Sequence, residues 1–256
     1  MSYLHAVILG IVEGFTEFLP ISSTGHLILT AHLLNIQNSD FVKSFEIVIQ
    51  LGAITAVMFI YWRMLVRNIS LWGKIIVAFI PTGIVGLALY SIVKKYLLGN
   101  STVVLWSLFL GGLMLIVFEY WKTKDEEGTM DSLTYKQAFL IGLAQCVALV
   151  PGVSRSAATI IAGRSLRLSR RAAVEFSFLL SIPVMIAATG LDLLKHAGNF
   201  SADQTGIIFV GFVVSGLVAA IAVTGLIRFV RNHTFVSFGI YRVIIAVIFF
   251  IIMYEF

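Results

Sequence analysis

The chain predicts an all-α, polytopic membrane protein with about six transmembrane helices plus two re-entrant helical hairpins in an inverted-topology repeat. Three observations carry that prediction. The 256 residues are 59% hydrophobic and only 12% charged, with mean hydropathy +0.98, against roughly 45–50% and about 25% in soluble domains. Six apolar stretches approach the ~20 residues needed to cross hydrocarbon as a helix. Two further apolar stretches are too short to cross, and each is broken by a proline followed by a polar tip.

The first broken stretch is GIVEGFTEFLPISSTGHL, Gly10 to Leu27. Glu13 and Glu17 are four apart, which stacks them on one helix face. Pro20 lacks an N–H and disfavours helix at Leu19, so the first arm ends there. Ser22, Ser23, Thr24 and Gly25 are turn and cap residues, with Ser23 or Thr24 expected near the N-cap of a second arm. Spans follow at 43–62, 71–96 and 102–121, with Trp62-Arg63 and Trp121-Lys122 as interfacial anchors. The polar segment 122–132, KTKDEEGTMDS, divides the chain almost in half and is expected in the cytoplasm.

The second half opens with GLAQCVALVPGVSRSAATIIAG, Gly142 to Gly163, and continues with spans at 172–194, 206–230 and 236–255. Gly10-x-x-Glu13 matches Gly142-x-x-Gln145, and Leu19-Pro20 with Ser22-Ser23 matches Val150-Pro151 with Ser154; Glu46 corresponds loosely to Glu175. The chain is therefore one membrane domain, 1–256, of two internal repeats, 1–121 and 133–256. Three crossings per half would invert the second half and bring both hairpin tips to the midplane.

That topology sends Arg63, Arg67, Lys74, Lys122, Lys124, Lys136, Arg164, Arg167, Arg170, Arg171, Arg228, Arg231 and Arg242 to one side, and Lys43, Lys94, Lys95 and Lys195 to the other. The imbalance satisfies the positive-inside rule with the Glu13 hairpin opening outward. Only Arg155 remains at membrane depth. The basic residues cap spans and form no stripe interleaved with aromatics, which argues against nucleic acid. The single Cys146 excludes an internal disulfide and a cysteine metal cluster.

A charge at the bilayer centre costs at least ~2.5–3.5 kcal/mol, so ionisable groups there are functional by default. Glu13 and Glu17 repel each other unless a proton or a cation lies between them, and hard oxygen ligands suit Mg²⁺ or Ca²⁺. Arg155, flanked by Ser154 and Ser156 with Thr159 one turn on, presents a planar fork to phosphate oxygens at a helix N-terminus, or neutralises Glu17 as an ion pair. Thr24 joins these hydroxyls as a phosphate contact. His26 is three residues after Ser23 and can face it on a helix, as its general base. His5, His32, His196 and His233 lie nearer span ends and read as interfacial, as do Glu119 and Asp192. Glu46, Gln50 and Glu175 are either outer partners of the site or bonds between crossing helices. The assembly is a cation-plus-arginine phosphate clamp in a membrane, suited to a lipid phosphate or diphosphate.

EGFTEFLPISSTGH and PGVSRSAAT resemble the two signature regions of the bacterial undecaprenyl-diphosphate phosphatase family, of the bacitracin-resistance type, and the resemblance covers essentially the whole chain. It implies hydrolysis of undecaprenyl diphosphate to undecaprenyl phosphate and inorganic phosphate, recycling the lipid carrier for cell-wall synthesis at the bacterial inner (plasma) membrane. It also implies dependence on Mg²⁺ or Ca²⁺, allows a homodimer, and gives functional roles to Glu13, Glu17, Ser23, His26, Ser154, Arg155 and Thr159. The family commonly has glycine where this chain has Ala157. The competing expectation is a lipid-phosphate transporter, because inverted repeats with broken helices are also a transporter architecture.

Overall fold

The computed structural model describes residues 1–37, 39–93, 97, 100–122, 126–196 and 200–254, without the side chains of Lys195, His196 and Tyr254. Lys94, Lys95 and Lys124, and the side chains of Lys195 and His196, therefore lie outside the described residues. The helices in chain order are α1 (Tyr3–Thr16), α2 (Ser23–Leu33), α3 (Asp40–Ile60), α4 (Trp62–Arg67), α5 (Ile69–Ile92) and α6 (Ser101–Trp121). After the polar segment come α7 (Tyr135–Gln145), α8 (Arg155–Ser165), α9 (Arg170–His196), α10 (Ala202–Phe229) and α11 (Val236–Tyr254). Among the described residues the only β pairing is an isolated Gly128–Leu168 bridge.

The protein is a multi-pass helical membrane protein. Helices α3, α5, α6, α9, α10 and α11 are long and apolar enough to cross a bilayer, whereas α1 and α7 with its following turn are shorter. Span ends follow local chemistry. Ser39, Asn68 and Asn100 side chains accept from backbone N–H groups in the first turns of α3, α5 and α6, and Thr134 and Ser201 form full capping boxes. Trp62 and Trp121 are exposed at their helix ends, as interfacial anchors would be.

Packing exchanges the two halves. Helix α1 lies along α10 of the second half, and α7 lies along α5 of the first; α3 packs on α10 and α9, α5 on α9, and α6 on α11. Glycines make the two hairpin contacts close. A Cβ on Gly10 would stand 2.9 Å from the Gly211 carbonyl, and one on Gly142 would overlap the Ala78 carbonyl. Only a residue without a side chain lets these backbones approach so far.

Much of the basic inventory gathers at one end of the bundle. Arg63, Arg67 and Arg171 share a cavity of about 720 Å³ with Asp131, Ser169 and Glu175. Lys74 donates to the carbonyls of Met130 and Asp131. Glu119 is buried against Arg164 and Arg170 rather than at an interface, and Glu175 pairs with Arg171 at 2.9 Å. Arg242 departs from the expected distribution: it is 1% exposed, deep in the bundle, and contacts both hairpin breaks. Arg155 is thus not the only basic residue at depth.

Candidate active site

Both hairpins break where the sequence places proline, and the breaks meet. Helix α1 stops at Thr16, earlier than Pro20 requires, and residues 17–20 continue as turns. The Glu17 N–H still bonds the Glu13 carbonyl at 2.9 Å, so the two carboxylates keep their helical stacking. The N-cap of α2 is Ser22, not Ser23 or Thr24, and its hydroxyl accepts from the Gly25 N–H. Ser22 is held at φ 72°, ψ 92°, a conformation L-residues rarely adopt and one that costs ~1–3 kcal/mol. That kink turns its carbonyl to the His26 ring. In the second hairpin α7 tightens into a 3-10 turn at Cys146–Leu149, Gly152 takes φ 89°, and Ser154 caps α8.

Glu17 is the centre of the cluster. Its Oε1 accepts from Arg155 Nη2 at 3.0 Å and its Oε2 from the Ser23 hydroxyl at 2.5 Å. Arg155 is braced by α9, where its Nη1 donates to the Ser177 carbonyl at 2.8 Å, and its guanidinium lies over the Phe18 ring. Phe18 in turn packs edge-on against Phe178. Ser156 donates to the Leu19 carbonyl at 2.8 Å, tying α8 to the opposite break. With that proton committed, the 2.9 Å contact between Ser154 and Ser156 has Ser154 as donor, while the Ser154 oxygen accepts from Ala157 N–H. Thr159 bonds Ser177 and the backbone carbonyls of its own helix. Ser154, Ser156 and Thr159 thus hold the hairpins together and hold Arg155 in place, whereas Thr24 is the partly exposed hydroxyl.

His26 does not face Ser23. Its Nδ1 lies 2.8 Å from the Ser22 carbonyl, which can only accept, so Nδ1 carries the proton. Its Nε2 lies 2.8 Å from the Tyr241 hydroxyl on α11, and in neutral imidazole it accepts that O–H. The group in hydrogen-bond reach of Ser23 is Glu17, because the Ser22 kink and Tyr241 draw the imidazole the other way.

Two groups of this cluster have buried atoms without a partner among the described residues. Neither oxygen of Glu13, which is 0% exposed, has a hydrogen-bond donor, and the Nε–H of Arg155 has no acceptor. A bare carboxylate and a bare guanidinium N–H in one buried cluster are each costly. A cation at the first and a phosphate oxygen at the second would satisfy both. No group of three or more His, Cys, Asp or Glu side chains gathers among the described residues.

The chain matches the family described as "Bacitracin resistance protein BacA" over residues 6–248. It belongs to that family. It is 50% identical over 250 residues to the undecaprenyl-diphosphatase of Aquifex aeolicus, covering 97% of this chain and 98% of that protein. It is 49% identical to the undecaprenyl-diphosphatase of Wolinella succinogenes, covering 97% of each. The like-named protein of a Sulfurihydrogenibium species is 48% identical, covering 98% and 99%.

Within this family member, Ala157 departs from the common glycine without strain. It lies in the first turn of α8, has no positive φ, and gives its N–H to the Ser154 cap. Three contributors escaped the sequence reading. Ser177 bonds Arg155 through its carbonyl, which no sequence motif marks. Tyr241 reads as an aromatic in an apolar span. Arg242 carried a legible signal: it is a charge seven residues into the apolar helix α11, and the reasoning applied to Arg155 applies to it equally. Its guanidinium donates to the carbonyls of Pro20, Gly152, Ser107 and Leu108, joining both breaks to α6.

Proposed function

We propose that this protein hydrolyses undecaprenyl diphosphate to undecaprenyl phosphate and inorganic phosphate, returning the lipid carrier to cell-wall synthesis. The observation that carries the chemistry is the pair of buried, unpartnered groups, Glu13 and Arg155 Nε, beside a serine hydroxyl already bonded to a carboxylate. The family and its relatives support the hydrolase, and nothing among them supports the transporter reading.

Arg155 binds a phosphoryl oxygen through Nε–H while Glu17 and Ser177 hold its other nitrogens, so its fork does not reorganise during reaction. Ser23 attacks the terminal phosphorus. A Ser23 O–P bond forms, the bridging P–O bond breaks, and undecaprenyl phosphate leaves with the electron pair. The serine proton passes to Glu17 Oε2, its hydrogen-bond partner. Water then attacks the phosphoserine, phosphate departs, and the proton returns to Ser23. His26, fixed between Ser22 and Tyr241, orients the α2 terminus that carries Ser23.

Glu13, with Glu17 as neighbour, would hold a divalent cation, Mg²⁺ or Ca²⁺. When bound it supplies charge neutralisation and Lewis acidity to the diphosphate. Chelation should abolish phosphate release and added Mg²⁺ or Ca²⁺ restore it; full activity in excess chelator would overturn this part of the reading.

We place the protein in the bacterial plasma membrane with both hairpins re-entrant, the second half inverted, and the Glu13 hairpin open to the outside. The basic residues gathered around the polar segment support the orientation. The exchanged packing, α1 on α10 and α7 on α5, supports two equivalent halves.

The experiment is phosphate release from undecaprenyl diphosphate by purified protein in detergent, followed by rapid quench. Release in detergent, where there are no sides to cross, establishes hydrolysis; its absence would overturn the assignment. An acid-stable adduct on Ser23 supports serine attack. An acid-labile adduct on His26 would make that residue the nucleophile, and substantial turnover by Ser23→Ala would favour direct attack by water.

A further inference from the structure

The glycine contacts put the two halves in register. Gly142 meets the Ala78 carbonyl on α5, and Gly10 meets the Gly211 carbonyl on α10. Three residues beyond each glycine stand Gln145 and Glu13; four residues beyond Ala78 and Gly211 stand Thr82 and Ser215. In the second half these positions close on each other: Gln145 Nε2 donates to Thr82 Oγ1 at 2.8 Å, and Thr82 donates to the Gly142 carbonyl at 3.0 Å. In the first half the same positions hold Glu13 and Ser215. Both are 0% exposed, and among the described residues neither the two Glu13 oxygens nor the Ser215 hydroxyl has a hydrogen-bond partner. Ser215 lies on the α10 face toward α1, where a Cβ on Gly14 would run into its carbonyl.

The neutral amide–hydroxyl pair fills the Thr82 hydroxyl on both sides and leaves only Gln145 Oε1 without a partner among the described residues. A carboxylate and a hydroxyl held at the same positions, both buried and neither with a donor among the described residues, leave oxygen lone pairs that a cation can satisfy. We propose that Ser215 is a ligand-bearing residue of the active site, its hydroxyl oxygen sharing with Glu13 the divalent cation, while Gln145–Thr82 is the neutral, hydrogen-bonded copy of the same position. This rests on the reading that Glu13 holds a cation. It assigns α10, which contributes none of the residues expected from sequence, a direct part in the site. It also explains why one half alone binds: the second copy carries no negative charge, and its Thr82 hydroxyl oxygen is already filled by the Gln145 Nε2–H.

The test is equilibrium binding of Ca²⁺ and Cd²⁺, without substrate, to the full-length detergent-solubilised protein carrying Cys146→Ser. That protein should bind Ca²⁺, and Glu13→Gln should abolish binding. Ser215→Ala should weaken Ca²⁺ binding by ~10-fold or more, the scale on which supporting groups act at metal sites. Ser215→Cys keeps the volume and replaces a hard donor by a soft one, so the ratio of Cd²⁺ to Ca²⁺ affinity should rise ~10-fold or more. The same change at Thr82 should leave the ratio where it was. Absent Ca²⁺ binding in the parent, or intact binding in Glu13→Gln, overturns the cation reading itself. If Glu13→Gln abolishes binding while Ser215→Ala stays within about twofold of the parent and Ser215→Cys leaves the ratio unmoved, the cation reading stands and Ser215 is overturned.

Discussion

Replacing Arg242 by methionine should loosen both hairpin breaks at once. The guanidinium donates at 3.3 Å to Pro20 O, 3.1 Å to Gly152 O, 3.0 Å to Ser107 O and 3.3 Å to Leu108 O. Hydrogen bonds to a charged group are each worth ~1.5–3 kcal/mol net, so four give a gross ~6–12 kcal/mol. Against that stands the cost of burying the charge, several kcal/mol, which the apolar side chain no longer incurs. The surplus is ~3–5 kcal/mol, in line with breaking a buried charge network. Arg242→Lys should fall between, since an ammonium has three donors and no planar spread to reach four carbonyls. Reversible unfolding in mixed micelles with increasing denaturing detergent measures the loss. Because Pro20 and Gly152 sit beside the reacting groups, kcat should fall ~100-fold even where the variant is folded, as for a misplacement of about 1 Å. A loss below ~1 kcal/mol with near-normal kcat would refute the clamp and leave Arg242 a packing residue.

Arg155→Lys should lower kcat/KM by ~10²–10³-fold, because a point charge cannot keep Glu17 and Ser177 while serving phosphate; turnover within a few-fold of the parent would make Arg155 structural. Tyr241→Phe removes the donor to His26 Nε2 and should reduce kcat about tenfold with KM little changed, whereas an unchanged kcat would show that this contact does not position α2. Gly142→Ala should destabilise the detergent-solubilised protein by ~1–3 kcal/mol, since its Cβ meets the Ala78 carbonyl; an unfolding midpoint equal to that of the parent would show that α5 and α7 separate at no cost. For the topology, after Cys146→Ser, single cysteines at Gln37 and Glu127, both exposed, report the two sides. Gly128 is unsuitable as a label site, because a side chain there would strike the Arg167 carbonyl. An impermeant thiol reagent on intact cells should label position 37 and spare 127; the reverse, or labelling of both, would overturn the proposed orientation.

The sequence by itself determined the class of molecule, the positions of its six spans, the two proline breaks and most of the residues that gather there. Those features rest on hydrocarbon thickness, the missing N–H of proline and the cost of charge at depth, which are local or one-dimensional properties. Glu13, Glu17, Ser23, Ser154, Arg155 and Thr159 were legible on those grounds. Partnership was not. Whether Ser23 meets Glu17 or His26 depends on the Ser22 kink and on Tyr241, 215 positions away from His26 in the chain. The carbonyls that hold Arg155 and Arg242 belong to backbone, whose direction no side-chain pattern encodes. Arg242 shows the limit of counting charges by span: the positive-inside rule sorts residues by side, while the bundle buried this one where two break carbonyls, of Pro20 and Gly152, needed donors that water cannot supply, its remaining N–H groups going to Ser107 and Leu108 inside α6.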